Sequence, residues 1–158
     1  VRVLAPVSLA VRTVADPRLG SLVGLADERL VLHGACRGLP CPLFAVDLGS
    51  GDVERLAADA GLATLAVGPE GRPTVVHELA GSVGTLARLG LDGTPGGRLK
   101  TELAGYRIVG PWADAAAEVP AGWLLLGPDG RLPGAAGDDA RLQRLADGQT
   151  RRLDEVAP

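Results

Sequence analysis

The feature that most constrains what this chain can fold into is a hairpin signature that recurs along it. Residues 43–56, LFAVDLGSGDVERL, read as an arm, a Gly-Ser-Gly-Asp turn and a returning arm. A glycine-bearing turn between two arms of alternating side chains favours antiparallel pairing. Residues 86–103 repeat the pattern with a longer turn at 92–97, and residues 141–153 repeat it around Asp147-Gly148. Gly51, Gly93 and Gly148 occupy equivalent turns, 42 and 55 residues apart. A second turn class is marked by Glu28, Glu70 and Asp129, 42 and 59 residues apart. The longer final interval accommodates an insertion at 110–118.

Two hairpins per cycle of roughly 42 residues is the period of a four-stranded β-propeller blade. The expected fold is therefore all-β and propeller-like, in a single β-repeat domain spanning 1–158. Its blades fall at 22–59, 60–103 and 104–156, and a partial blade at 9–22 brings the total to about three and a half. A ring must close, so either further sequence or a second copy supplies the remaining blades. The absence of methionine and the start at Val1 point the same way, to a piece of a longer chain. Two alternatives stand beside this one. A β-trefoil also has three repeats in about this length. An α/β arrangement follows if residues 50–60, SGDVERLAADA, form a helix capped by Ser50, with Val53, Leu56 and Ala57 on one face.

The strand ending at Leu48, the Ser50-Gly51 turn and the Arg55-Leu56 return, together with the Gly-Pro-Glu/Asp-Gly turns, resemble bacterial TolB-like and related β-propeller repeats. That resemblance covers about two-thirds of the chain, and it implies a propeller that presents loops to a partner. The chain departs from WD repeats, having no Gly-His and no Trp-Asp dipeptide, and it lacks the tryptophan motif of quinoprotein blades.

Composition narrows the function classes. Net charge is −3 and the arginines are scattered, which leaves no basic patch for a nucleic acid. No apolar run approaches the ~18 residues of a membrane span. Aromatics are only 3%, so Leu, Val and Ala must build the core, and Lys100 is the sole lysine among many arginines, a GC-rich, actinobacterial signature. Cys36 and Cys41 flank Arg-Gly-Leu-Pro, a turn-forming loop short enough for the thiols to meet. A disulfide there implies an extracytoplasmic setting. The run His33-x2-Cys36-x4-Cys41 invites a metal reading, but zinc needs four placed ligands and His77 is the only other histidine.

No nucleophile elbow, P-loop or dinucleotide fingerprint is present, and no cofactor is expected. His33 and His77 read as structural, and Asp92, Asp138 and Asp139 as solvated turn residues rather than calcium ligands. Trp112, Asp114 and Glu118 lie in the insertion and are the candidate partner contacts. The reading is a non-enzymatic binding or scaffold propeller segment whose partner is a protein, a small ligand or a second copy. The alternative is part of a catalytic propeller, hydrolase or lyase-like, with active residues on further blades.

Overall fold

The computed structural model describes residues 2–4, 11–68, 70–101, 103–109, 119–130, 140–152 and 155. Among them there are strands and turns but no α-helix. Two short strands, β1 (Arg2–Leu4) and β2 (Val11–Thr13), pair with each other. Then comes a seven-stranded antiparallel meander: β3 (Leu19–Ala26), β4 (Arg29–Gly34), β5 (Cys41–Asp47), β6 (Val53–Val67), β7 (Pro73–Leu79), β8 (Thr85–Leu89) and β9 (Pro95–Lys100). A four-stranded meander follows: β10 (Tyr106–Ile108), β11 (Trp123–Pro128), β12 (Arg141–Arg144) and β13 (Thr150–Arg152). Within each sheet, every strand hydrogen-bonds to its neighbour in sequence.

The turn chemistry explains this order. Asp27 and Glu28 adopt φ of 46° and 58°, the left-handed pair of a two-residue hairpin turn whose twist matches the flanking strands. Gly51, Gly93 and Gly148 have φ of 84°, 79° and 78°, so the three recurring turns are geometrically alike. Each is closed by a similar backbone bond: the N–H of Asp47 to the carbonyl of Asp52 at 3.0 Å, of Gly90 to Thr94 at 2.8 Å, and of Arg144 to Gln149 at 2.7 Å.

The long strand β6 determines the packing. Its first half pairs with β5 and its second half with β7, and Ala60 is opposite both Cys41 and Leu79. The register shifts between Ala60 and Ala63, at Gly61. There the sheet folds back on itself. One apolar cluster joins Val23, Val31, Leu43, Ala45 and Leu56 from the first half of the sheet to Ala63, Val75 and Leu89 from the second. Gly24 of β3 lies so close to β6 that a Cβ there would come within 2.5 Å of Leu65 Cδ1. Strand alternation then gives the second half another apolar face. Val76, Leu86 and Leu99 pack on Ile108, Leu124, Leu126 and Leu145 of the last sheet. The far side of the first half holds Leu30, Leu32 and Val46, partly covered by Val14 and Leu19. The result is a stack in which the two halves of the seven-stranded sheet and the four-stranded sheet pack through apolar clusters. Each fully buried Val or Leu at these seams contributes about 1.5–3 kcal/mol relative to exposure.

Four expectations are corrected. The α/β alternative fails, because residues 53–60 lie in β6 and every described sheet pairing is antiparallel. The helical face of Val53, Leu56 and Ala57 is overridden by pairing with β5. The trefoil alternative fails because no described sheet closes into a barrel. Among the described residues of the expected partial blade at 9–22, β2 pairs with β1, and residues 19–22 open β3, whose partner is β4, so 11–22 make no hairpin of their own. Asp129 is not equivalent to Glu28 and Glu70. It follows β11, the second strand of its sheet, whereas Glu28 and Glu70 each follow the first strand of a meander. A Gly-Pro-Asp-Gly signal marks where a chain reverses, not which pair of strands the reversal joins.

Candidate functional site

Loops from three parts of the stack meet at one end. The first is residues 35–40, between β4 and β5. Cys36 and Cys41 are disulfide-bonded across it, with a Cα–Cα distance of 6.2 Å. Leu39 stands out from this loop, 43% exposed. The second is residues 80–84, between β7 and β8. Gly81 and Gly84 take φ of 73°, which a side chain would resist, and the loop is tied by Ser82 N–H to Leu79 carbonyl at 3.3 Å and Thr101 N–H to Gly84 carbonyl at 2.7 Å. Val83 at its tip is fully exposed. The third is the connection from β9 to β10, residues 101–105.

Between these loops lies a cleft of about 570 Å³. Leu39 and Val83 stand at it, and Leu79, Leu86, Leu103 and Tyr106 supply apolar lining. Its charged residues are Asp129 and the two partners of a fork between sheets. The Arg107 guanidinium donates from Nε to Glu78 Oε1 at 3.0 Å and from Nη2 to Glu78 Oε2 at 2.5 Å. A two-bond fork of this kind is geometrically specific as well as attractive. Glu78 in turn raises the Arg107 pKa, so the guanidinium stays charged.

Beneath this wall lie two imidazoles. His33 is 9% exposed and His77 is 3% exposed. A carbonyl can only accept, so the His33 Nε2–H donates to Gly61 O at 2.9 Å and the His77 Nδ1–H donates to Glu78 O at 3.0 Å. Burial pushes the His77 pKa below its ordinary value, and the neighbouring His33 adds to that effect.

A second cleft, of about 690 Å³, sits at the other end of the strands, among the turns at 27–28, 68–72 and 90–94. It is lined by Asp27, Arg29, Glu70, Arg72, Arg88 and Asp92, charges of both signs. Several of these groups serve the scaffold. Arg29 Nη1 donates to Leu91 O at 2.9 Å, Arg88 Nη1 donates to Leu145 O at 2.8 Å, and Asp92 Oδ1 accepts from Thr94 N–H at 3.0 Å.

The structure thus places Cys36 and Cys41 beside the first cleft and Asp92 beside the second. Trp112, Asp114 and Glu118 lie outside the described residues, as do Asp138 and Asp139. Trp123 lies on β11, with the Arg144 guanidinium 5.9 Å from its ring centre. Among the described residues no group of three or more His, Cys, Asp or Glu is placed to hold a metal. Sequence reasoning pointed to the cysteine loop that carries Leu39 and missed Val83, Glu78 and Arg107. One signal was available for the cleft floor: His33 and His77 end equivalent runs, Leu30-Val31-Leu32-His33 and Thr74-Val75-Val76-His77, in the second strands of successive meanders.

No family model matches the chain, and no curated protein or solved structure is significantly similar to it.

Proposed function

We propose that this chain is a non-enzymatic binding segment of a TolB-like β-propeller, and that it takes a loop of a partner protein at the cleft beside the disulfide. The observation that carries the reading is the exposed pair Leu39 and Val83 standing at an apolar cleft. Val83 projects outward, so an occupant that covers the rim buries more apolar surface than a small molecule held inside. Burial of such side chains returns about 25 cal/mol per Å² removed from water. A disulfide-closed loop suits the task because it arrives already ordered, which lowers the entropy lost on binding.

The propeller assignment is supported by three face-to-face, four-stranded meanders, each running in sequence order, with β6 serving as the last strand of one and the first of the next. The disulfide favours an extracytoplasmic location. No helix among the described residues is long and apolar enough to cross a membrane.

The test uses an apolar fluorescent probe, anilinonaphthalene sulfonate, at pH 7.5. The expected result is saturable binding to the folded chain that is lost in a Leu39→Ser, Val83→Ser double variant with an unchanged circular dichroism spectrum. Absent binding, or binding indifferent to the two substitutions, overturns the reading.

A further inference from the structure

We propose that His77, buried beside His33 under the cleft, makes the cleft wall responsive to pH: uncharged, it holds the Glu78 backbone from which the wall is built, and charged, it loosens that wall. This rests on the cleft being the binding site. The geometry joins the parts. His33 comes from β4 and reaches across to the carbonyl of Gly61, the corner residue of β6. His77 comes from β7 and is bonded to the carbonyl of Glu78. Glu78 lies over the same corner, since a Cβ on Gly61 would come within 2.8 Å of Glu78 Cβ. The Glu78 carboxylate holds Arg107 of β10. Gly61, Glu78 and Arg107 all line the cleft. A shift at either ring therefore moves the wall directly.

The chemistry follows from the donor count. A neutral imidazole has one N–H, and each ring has placed it on a backbone carbonyl. Protonation adds a second N–H, and among the described residues neither ring has a second hydrogen-bond partner. Neighbouring charges do not relieve the strain. His33 is the ring that faces His77 electrostatically. The Glu78 carboxylate is engaged by Arg107, and Arg88 of β8 by the Leu145 carbonyl. On β6, Glu54 is paired with Arg29, while Arg55 and Asp59 are exposed. Lys100 on β9 is exposed as well. A proton on His77 thus creates a cation without a counter-charge, which burial disfavours.

The sign is fixed by linkage. The folded His77 binds its proton less tightly than the unfolded chain does, so its contribution is complete above the ordinary imidazole value of about 6.5 and is lost as pH falls through the lower folded value. The population of the opened wall therefore rises as pH falls from the ordinary value toward the lower folded one.

The experiment is amide hydrogen exchange of the whole chain between pH 7.5 and 5, corrected for intrinsic rates. The expected result is a rise in exchange at residues 60–63 and 78–84 on acidification, flattened in a His33→Gln, His77→Gln double variant. Should that variant fail to fold, the ring-proton titration of the unaltered chain decides instead. His77 titrating at or above the ordinary value, or exchange that does not change with pH, overturns the proposal. Loss of probe binding at pH 5 with retention at pH 7.5 is expected as well. Absence of probe binding at both values overturns the binding reading alone, because exchange is read without any probe.

Discussion

Gln143 has no exposed surface, yet it is a polar residue on the apolar face of β12. Its side-chain amide explains the placement. Nε2 donates to the Lys100 carbonyl at 2.7 Å and to the Gly148 carbonyl at 3.2 Å, so one group ties β9 to the turn that closes the last hairpin. Gln143→Leu keeps the volume and strands both carbonyls, and is expected to lower unfolding free energy by about 1–3 kcal/mol in a denaturant titration. Gly20 shows the opposite kind of constraint, a lack of space. A Cβ there would lie 2.5 Å from the Gly34 carbonyl oxygen, which belongs to backbone and cannot swing aside. Gly20→Ala is expected to cost about 1–3 kcal/mol through overpacking, measured in the same way. Neither role is legible in the sequence. Gln143 sits in Arg-Leu-Gln-Arg, where alternation alone would put any polar residue on the solvent side, and only the approach of β9, more than forty residues earlier, reverses that. Gly20 depends on β4 in the same non-local way.

At the scale of elements, the turns were the legible part, because their chemistry is contained within a few residues. The hairpins at 43–56 and 86–103 carry their own closing groups. Asp47 is held below its ordinary pKa by the Ser50 N–H, Asp92 by the Thr94 N–H, and Asp147 by the Arg144 side chain and then the Gln149 N–H. These depressed values make a stability contribution present above the ordinary carboxyl range of about 4 and lost as pH falls through the lower folded values. Asp47→Ala and Asp92→Ala are therefore each expected to lower the melting midpoint at pH 7, with the difference from the unaltered chain vanishing at strongly acid pH. What the turns could not reveal is the assignment of strands. Residues 50–60 carry a helical pattern, and 53–60 still join β6, because pairing with β5 outweighs local preference. The cysteine loop is likewise local and legible. Its reduction is expected to lower stability by about 2 kcal/mol, the chain-entropy value for so short a loop, while the sheets persist, and intact mass will rise by two hydrogens.

At the scale of the molecule, the seams between meanders were not legible, since nothing local says which apolar face meets which. The candidate cleft is a product of these seams: Leu39, Val83 and Tyr106 are far apart in sequence and meet only when the sheets stack. Two polar ties cross the seam between β9 or β8 and the last sheet, Gln143 to Lys100 and Arg88 to Leu145. Arg88→Ala is expected to raise hydrogen exchange in β11 and β12 while leaving β3, β4 and β5 protected. Completion of a ring by a second copy predicts a dimer in solution, and a monomer at micromolar concentration would remove that partner from the proposal.

The unbroken sequence order of the strands has a consequence for how the chain reaches this structure. Each pairing closes a loop between neighbours, so no contact in the ladders has to wait for distant segments to find one another. Folding rate falls as the mean sequence separation of contacts grows, and all-β domains are slow mainly where their pairings are remote. This chain is therefore expected to refold at the fast end of the millisecond-to-second range of all-β domains, with assembly spreading outward from the shared strand β6. Stopped-flow refolding with substitutions at Ala60 and Ala63 measures it: a folding limb that slows with the loss of stability places β6 in the nucleus, and a change confined to the unfolding limb places it outside.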